Sequence, residues 1–140
     1  MSGVIREVEI PIFGEPERGK LVSVEFQKAI PFPVKRVYFL WGVPAGVVRG
    51  AHAHTVEKEF FMCVRGRCAI RVSADGNPPQ KIILNAPNRG IFVDNLVWHE
   101  FAEFSPDALL LCFSSTHYLP DNYISDFSEF QKILKNSPQK

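Results

Sequence analysis

Val47-Val48-Arg49-Gly50-Ala51-His52-Ala53-His54 sets two imidazoles one residue apart. Side chains alternate along an extended strand, so both rings fall on one face with Cβ atoms roughly 7 Å apart. That spacing lets the pair grip one small ligand or one metal ion. A lone histidine would read as polar decoration of a half-buried strand; two on one face beside an arginine read as a site. Gly50 lets the backbone bend, and Arg49 adds a permanent charge able to bind phosphate oxygens bidentately. Arg49 is one residue out of phase with the histidines. It joins their face only if Gly50 bulges the strand, and otherwise supports them from behind.

Outward from this stretch, short apolar segments alternate with turn residues every eight to twelve positions. Strands are expected at 4–10, 20–26, 34–41, 59–64, 67–73, 81–84, 90–93, 98–103 and 108–114, with 59–64 and 67–73 pairing as a hairpin across Arg65-Gly66. Gly14 to Gly19 reads as a turn-rich break, and Asp75-Gly76-Asn77-Pro78 as a tight turn. Such spacing without helical periodicity argues for an all-β sandwich or barrel. The tail differs: Phe127, Phe130, Ile133 and Leu134 have helical spacing, Ser125 or Asp126 can cap, and Asn136-Ser137-Pro138 stops the helix. The 140 residues form one domain. Its parts are an N-terminal strand segment at 1–16, a barrel at 17–117 and a C-terminal helix region at 118–140.

With 46% hydrophobic and 22% charged residues, the composition is that of a folded soluble domain. A net charge of +1 gives no electrostatic reason to expect a nucleic-acid or membrane partner. No run approaches the ~20 apolar residues of a membrane span, and Met1 to Glu7 lacks a signal core. Cys63, Cys68 and Cys112 lie in apolar runs without metal-type spacing and read as buried thiols in a reducing compartment. A cytoplasmic location is the expectation.

Gly46, His52, His54, Glu59 and Gly66 follow the spacing of the first motif of the cupin superfamily. The second motif is partly met, by Gly90 and His99, with Leu96 and Trp98 in place of its proline and glycine. The chain also resembles the sugar 3,4-ketoisomerases of nucleotide-sugar biosynthesis. The resemblance runs through Glu17-Arg18-Gly19-Lys20-Leu21, Ile30-Pro31-Phe32, Lys35-Arg36-Val37-Tyr38, Arg49 to His54, Leu96-Val97-Trp98-His99-Glu100, Phe104-Ser105, Tyr118 and Asp121 to Phe127. It departs from that family at Thr55, usually lysine, at Glu59, often glutamine, and at Pro16-Glu17, where an aspartate is usual.

The resemblance implies a cupin double-stranded β-helix (a jelly-roll barrel) with a short C-terminal helix. It implies action on dTDP-4-keto-6-deoxy-glucose, moving the carbonyl from C4 to C3 through an enediol or enediolate, without cofactor, for deoxyaminosugar synthesis. It also implies a homodimer, which in some members of the family exchanges its N-terminal strands. Histidine suits such proton traffic near neutral pH. The resemblance makes His54 the leading acid/base and His52 its partner, either sharing the proton or hydrogen-bonding the developing oxyanion. Arg18 is either a solvated turn charge or a pocket donor, and His99 either an ordinary histidine or a pocket residue. Within the family, an arginine and a histidine at these places resemble the branch making the galacto-configured product. Arg36 and Tyr38 share a strand face, as core-edge packing or as nucleotide contacts. His117 reads as surface structure.

Other readings of the same residues stay open. His52, His54, Glu59 and His99 form a ligand set suited to Fe, Mn, Ni or Zn in a metal-dependent cupin. A sugar-binding cupin without catalysis and a 3,5-epimerase are the remaining alternatives.

Overall fold

The structure, a computed structural model, describes residues 3–75 and 78–136. It is built from two five-stranded antiparallel sheets and an outlying hairpin. The first sheet holds β1 (Ile5–Glu9), β4 (Arg36–Trp41), β6 (Glu59–Arg65), β9 (Arg89–Val93) and β11 (Leu109–Ser114), in the order β1-β9-β6-β11-β4. The second holds β5 (Arg49–His54), β7 (Cys68–Ser73), β8 (Gln80–Leu84), β10 (Trp98–Ala102) and β12 (Tyr123–Ile124), in the order β12-β5-β10-β7-β8. The hairpin joins β2 (Ile12–Glu15) to β3 (Gly19–Val22). This is the all-β, double-sheet jelly roll expected of a cupin.

The sheets are held together by an apolar layer that includes Phe61, Cys63, Ile70, Val72, Ile91, Val93, Phe101, Leu110 and Cys112. Glu59-Phe60-Phe61-Met62-Cys63-Val64 is nearly continuous in apolar character because β6 is covered on both faces. Phe61 and Cys63 point between the sheets. Phe60 and Met62 point outward, under a lid formed by Ile10, Ile30 and Phe32. Gly90 has no side chain because Phe60 lies where one would be: a Cβ there would meet the Phe60 ring at 2.2 Å.

Two expectations are corrected. β6 and β7 do not form a hairpin; β6 pairs with β9 and β11, and β7 with β8 and β10. At Gly66 (φ 70°) the chain instead crosses between sheets, where a Cβ would lie 2.3 Å from Ser105 Oγ. The expected strand at 20–26 ends at Val22, and the turn expected within 14–19 lies at residues 16–18, where it joins β2 to β3. The N-terminal strand β1 pairs with β9 over Ile5↔Val93 to Glu9↔Arg89. The turn expected at 75–78 lies partly outside the described residues, as does the helix stop at 137–138.

The C-terminal helix α1 (Phe127–Asn136) forms as expected, and Asp126 caps it, its Oδ1 accepting the Glu129 N–H at 3.1 Å. Phe130 packs with Ala53, Trp98 and Ile124. The helix therefore covers the outer face of the second sheet. Alternation along β5 and β10 sends Ala53 and Trp98 to the helix, and His52, His54 and His99 to the opposite face.

Candidate active site

β5 and β10 pair with His52 opposite His99, but Gly50 then pairs with Glu100, so Ala51 is an extra, bulged residue. Gly50 (φ 77°) and Ala51 (φ 61°) both occupy the left-handed region, which Ala51 enters at a cost. The bulge brings Arg49 into phase with the histidines. Arg49, Gly50 and His52 line one cleft of about 350 Å³ with Arg36, Tyr38 and Tyr123.

Behind this cleft three histidines gather. The His52 ring lies 4.8 Å from His54 and 4.8 Å from His99, and the His54 and His99 rings are 5.4 Å apart. The first sheet faces them with Glu59 on β6. Its Oε1 lies 3.4 Å from His54 Nδ1 and 3.4 Å from His99 Nε2, and its Oε2 accepts the Tyr38 hydroxyl at 2.6 Å. Sequence reading ranks His54 before His52, yet the order of exposure is the reverse. His52 borders the cleft, whereas His54 and His99 lie behind it, 3% and 1% exposed.

Burial, followed by the neighbouring His99, lowers the His52 pKa to about 4. Burial lowers His54 to about 3 against the opposing pull of Glu59. Both rings are therefore neutral bases near pH 7. Burial by itself would raise the Glu59 pKa, but the adjoining His99, then His54 and the Tyr38 hydroxyl, keep it below the usual carboxylate range.

Three buried atoms in this cluster, His54 Nε2, Glu59 Oε1 and His99 Nε2, have no hydrogen-bond partner among the described residues. His99 Nδ1 lies 3.2 Å from the Val97 carbonyl and must donate to it, since a carbonyl only accepts. Nε2 then meets the Glu59 oxygen lone pair to lone pair, unless a proton or a cation lies between. The donor atoms of His52, His54, Glu59 and His99 lie within 4.8 Å of one another. This set of three imidazoles and one carboxylate fits a divalent transition metal.

Arg36 and Tyr38, both predicted, line the cleft; Arg18 does not. Arg18 stands on the β2–β3 hairpin in a separate cleft with Phe13, Glu15 and Lys20. His117 is exposed, as expected. The residue reading assigned no role to Tyr123 or Glu57. The Tyr123 ring stacks 4.8 Å from His52 and 4.5 Å from His54. Glu57 is buried, with Oε1 3.8 Å from His54 Nε2. Tyr123 was within reach of the sequence, inside Asp121-Asn122-Tyr123. Glu57 had no signal, since an acidic residue before Lys58 reads as a solvated loop.

Histidines from two strands of one sheet, facing a carboxylate on the other beside an arginine-lined cleft, define a cupin enzyme site. The FdtA family model (WxcM-like, C-terminal) matches residues 5–135. A TDP-4-oxo-6-deoxy-alpha-D-glucose-3,4-oxoisomerase of Aneurinibacillus thermoaerophilus is 37% identical over 117 residues, 84% of each chain. A 3,4-ketoisomerase from Helicobacter canadensis superposes with a TM-score of 0.88 at 32% identity, covering 94% of this chain and 98% of that one. A variant of QdtA from Thermoanaerobacterium thermosaccharolyticum, solved in complex with TDP-4-keto-6-deoxyglucose, gives 0.88 at 27% identity, covering 94% of each. The chain belongs to the sugar 3,4-ketoisomerase family of the cupin superfamily and is an isomerase. Among the described residues no helix is long and apolar enough to cross a membrane.

Proposed function

We propose that the protein converts dTDP-4-keto-6-deoxy-D-glucose into a dTDP-3-keto-6-deoxy hexose, supplying a 3-keto sugar for amination, and that His52 carries the proton. The observation behind this is that His52 is the histidine bordering the cleft, held neutral by burial. Over the whole reaction C3 and O3 each lose a proton, while C4 and O4 each gain one. Neutral His52 takes the C3 proton, giving an enediolate; the O3 proton passes to O4, and the resulting imidazolium returns a proton to C4. A lowered pKa makes the imidazolium a strong acid, which favours that return. His54 lies behind His52 as its partner. Arg36, on the first sheet, and Tyr123, beside His52 on β12, hold the charge that builds on oxygen, and Arg49, lining the same cleft, binds the diphosphate.

A homodimer is part of this reading. The β2–β3 hairpin leaves Ile12, Phe13 and Leu21 exposed, a suitable surface for a second copy. Arg18 on that hairpin would then act at the partner's cleft, with His99 helping to select the galacto-configured product.

The test is incubation with dTDP-4-keto-6-deoxy-glucose in D₂O, coupled to a 3-aminotransferase, with NMR of the product. Deuterium at C3/C4 positions alone, with a 3-amino sugar formed, is the expected result. Label at C5 would indicate 3,5-epimerisation, and no turnover would leave a binding module.

The orphaned atoms around Glu59 favour a second reading, in which His52, His54, Glu59 and His99 hold a divalent metal. Such an ion would polarise the sugar carbonyl as a Lewis acid. Metal analysis before and after chelation separates the two. On the metal-free reading the chelated protein keeps full activity; a stoichiometric ion whose removal abolishes turnover favours the metal.

A further inference from the structure

Glu57 lies in the four-residue connection between β5 and β6, with no part in the proton transfer described above. It is 1% exposed, and a carboxylate at that depth costs several kcal/mol in desolvation unless its oxygens are met. Four donors meet them. Oε2 accepts from Arg36 Nη2 at 2.8 Å and from Ser114 Oγ at 2.7 Å. Oε1 accepts from Asn122 Nδ2 at 3.0 Å and Thr116 Oγ1 at 3.2 Å.

These donors come from separate parts of the chain. Arg36 belongs to β4, Ser114 ends β11, and Thr116 and Asn122 lie on the segment that leads into β12. Asn122 is also tied to the connection itself, its Oδ1 accepting the Val56 N–H at 2.8 Å. Two of the anchored groups shape the cleft. The Arg36 guanidinium carbon sits 5.4 Å from the Tyr38 ring centre and 5.7 Å from that of Tyr118, and all three side chains line the cleft. Tyr123 follows Asn122 directly and stacks against His52 and His54.

The geometry points to Glu57 as a positioning residue of the isomerase: its buried carboxyl group fixes the Arg36 guanidinium and the Asn122–Tyr123 segment in place around His52. The inference rests on the reading of this cleft as the place where the keto sugar reacts. Without Glu57 the Arg36 charge is still present, but the two rings, the Tyr123 side chain and the long 3.4 Å contact to Ser114 Oγ hold its planar fork of donors less firmly. The carboxyl group fixes which way the fork points, because one Nη donor must meet it. A fixed cation near the reacting carbons stabilises an enediolate more than the neutral ketone, so its misplacement is felt in kcat more than in ground-state binding.

The experiment is a double-mutant cycle of Glu57→Gln with Arg36→Lys, read as kcat and KM with dTDP-4-keto-6-deoxy-glucose and as dTDP affinity by calorimetry. Glutamine keeps the shape but can accept at only one of the two oxygens' places. If Glu57 acts through Arg36, Glu57→Gln lowers kcat at least tenfold and leaves KM and the dTDP dissociation constant within about threefold of the parent. The double variant is then no slower than Arg36→Lys alone. A kcat within twofold of the parent, or losses that multiply in the double variant, overturns the inference. If Glu57→Gln does not fold, Ser114→Ala carries the same cycle. It removes the hydroxyl that bridges Glu57 (2.7 Å) and Arg36 (3.4 Å) while leaving the carboxylate in place. Failure of the parent protein to turn over this sugar would instead reject the assigned reaction, so the two failures are distinct.

Discussion

Replacing His52 with asparagine should remove turnover and leave the fold intact. The side chain is only half-buried, and its neighbours are rings in edge contact at 4.8 Å. No buried carboxylate depends on it for a hydrogen bond. The stability cost is therefore about 1 kcal/mol, or roughly 4 °C in melting temperature for a domain of this size. The chemical cost is larger. A positioned general acid–base contributes about 10²–10⁴-fold, equal to roughly 2.7–5.5 kcal/mol of barrier. Because one ring both removes and returns the proton, the loss should appear equally in conversion of the 4-keto sugar and in solvent exchange at C3.

His54→Asn should behave differently. His54 is 3% exposed and lies between two carboxylates, 3.4 Å from Glu59 and 3.8 Å from Glu57. Its removal leaves a void beside buried charge, a loss of roughly 2–3 kcal/mol, so melting should fall by about 8–12 °C. The assay pairs thermal melting with the coupled aminotransferase rate and NMR of C3 exchange. The assignment is refuted if His52→Asn keeps more than a tenth of the parental kcat. It is refuted equally if His54→Asn is the inactive, normally stable variant of the two.

Tyr38→Phe takes from buried, ionised Glu59 its 2.6 Å hydroxyl donor. Denaturant unfolding should show a loss of about 2–3 kcal/mol, and a loss under 0.5 kcal/mol would mean that the bond carries no net stability. Gly90→Ala would drive a methyl to 2.2 Å from the Phe60 ring, on the side of β6 away from the histidines. Overpacking of about 1–3 kcal/mol should lower melting while kcat of the folded fraction stays at the parental value. The pH dependence of stability has two opposed parts. His52 and His54, at about 4 and 3 when folded against about 6.5 unfolded, give an unfolded state that binds protons first as pH falls below 6.5. Stability is lost from there downward. Glu57, which burial and then the nearby Glu59 charge raise to about 7 from 4.5, keeps its proton in the folded state and adds stability as pH falls from 7 to 4.5. Two histidines outweigh one carboxyl group, so melting should fall by several degrees between pH 7 and 5 and more steeply below. In Glu57→Gln the decline between pH 6.5 and 5 should be steeper, and identical profiles for the two proteins would contradict this.

The strands around the histidines, the inward pairing of His52 with His54, and the helix capped by Asp126 were all legible in the sequence. Each follows from rules that act within a few residues: alternation, helical period, a capping oxygen. Which strands pair could not be read this way. β6 and β7 are neighbours along the chain but lie in different sheets, because each is buried by strands distant in sequence. The phase of Arg49 depended on a bulge that exists only because β10 pairs with β5 on both sides of Ala51. Arg18 carries its charge on a hairpin apart from the cleft, and Glu57 gathers partners 21, 57, 59 and 65 residues away. Burial, and with it the protonation of His52 and the pairing of Glu57, is a property of the assembled sheets. Residue types and their local spacing therefore determined that this chain makes a jelly roll with paired histidines. Only the packing of the two sheets decided which histidine meets the cleft, because desolvation and hydrogen bonding are set by neighbours that the linear order does not bring together.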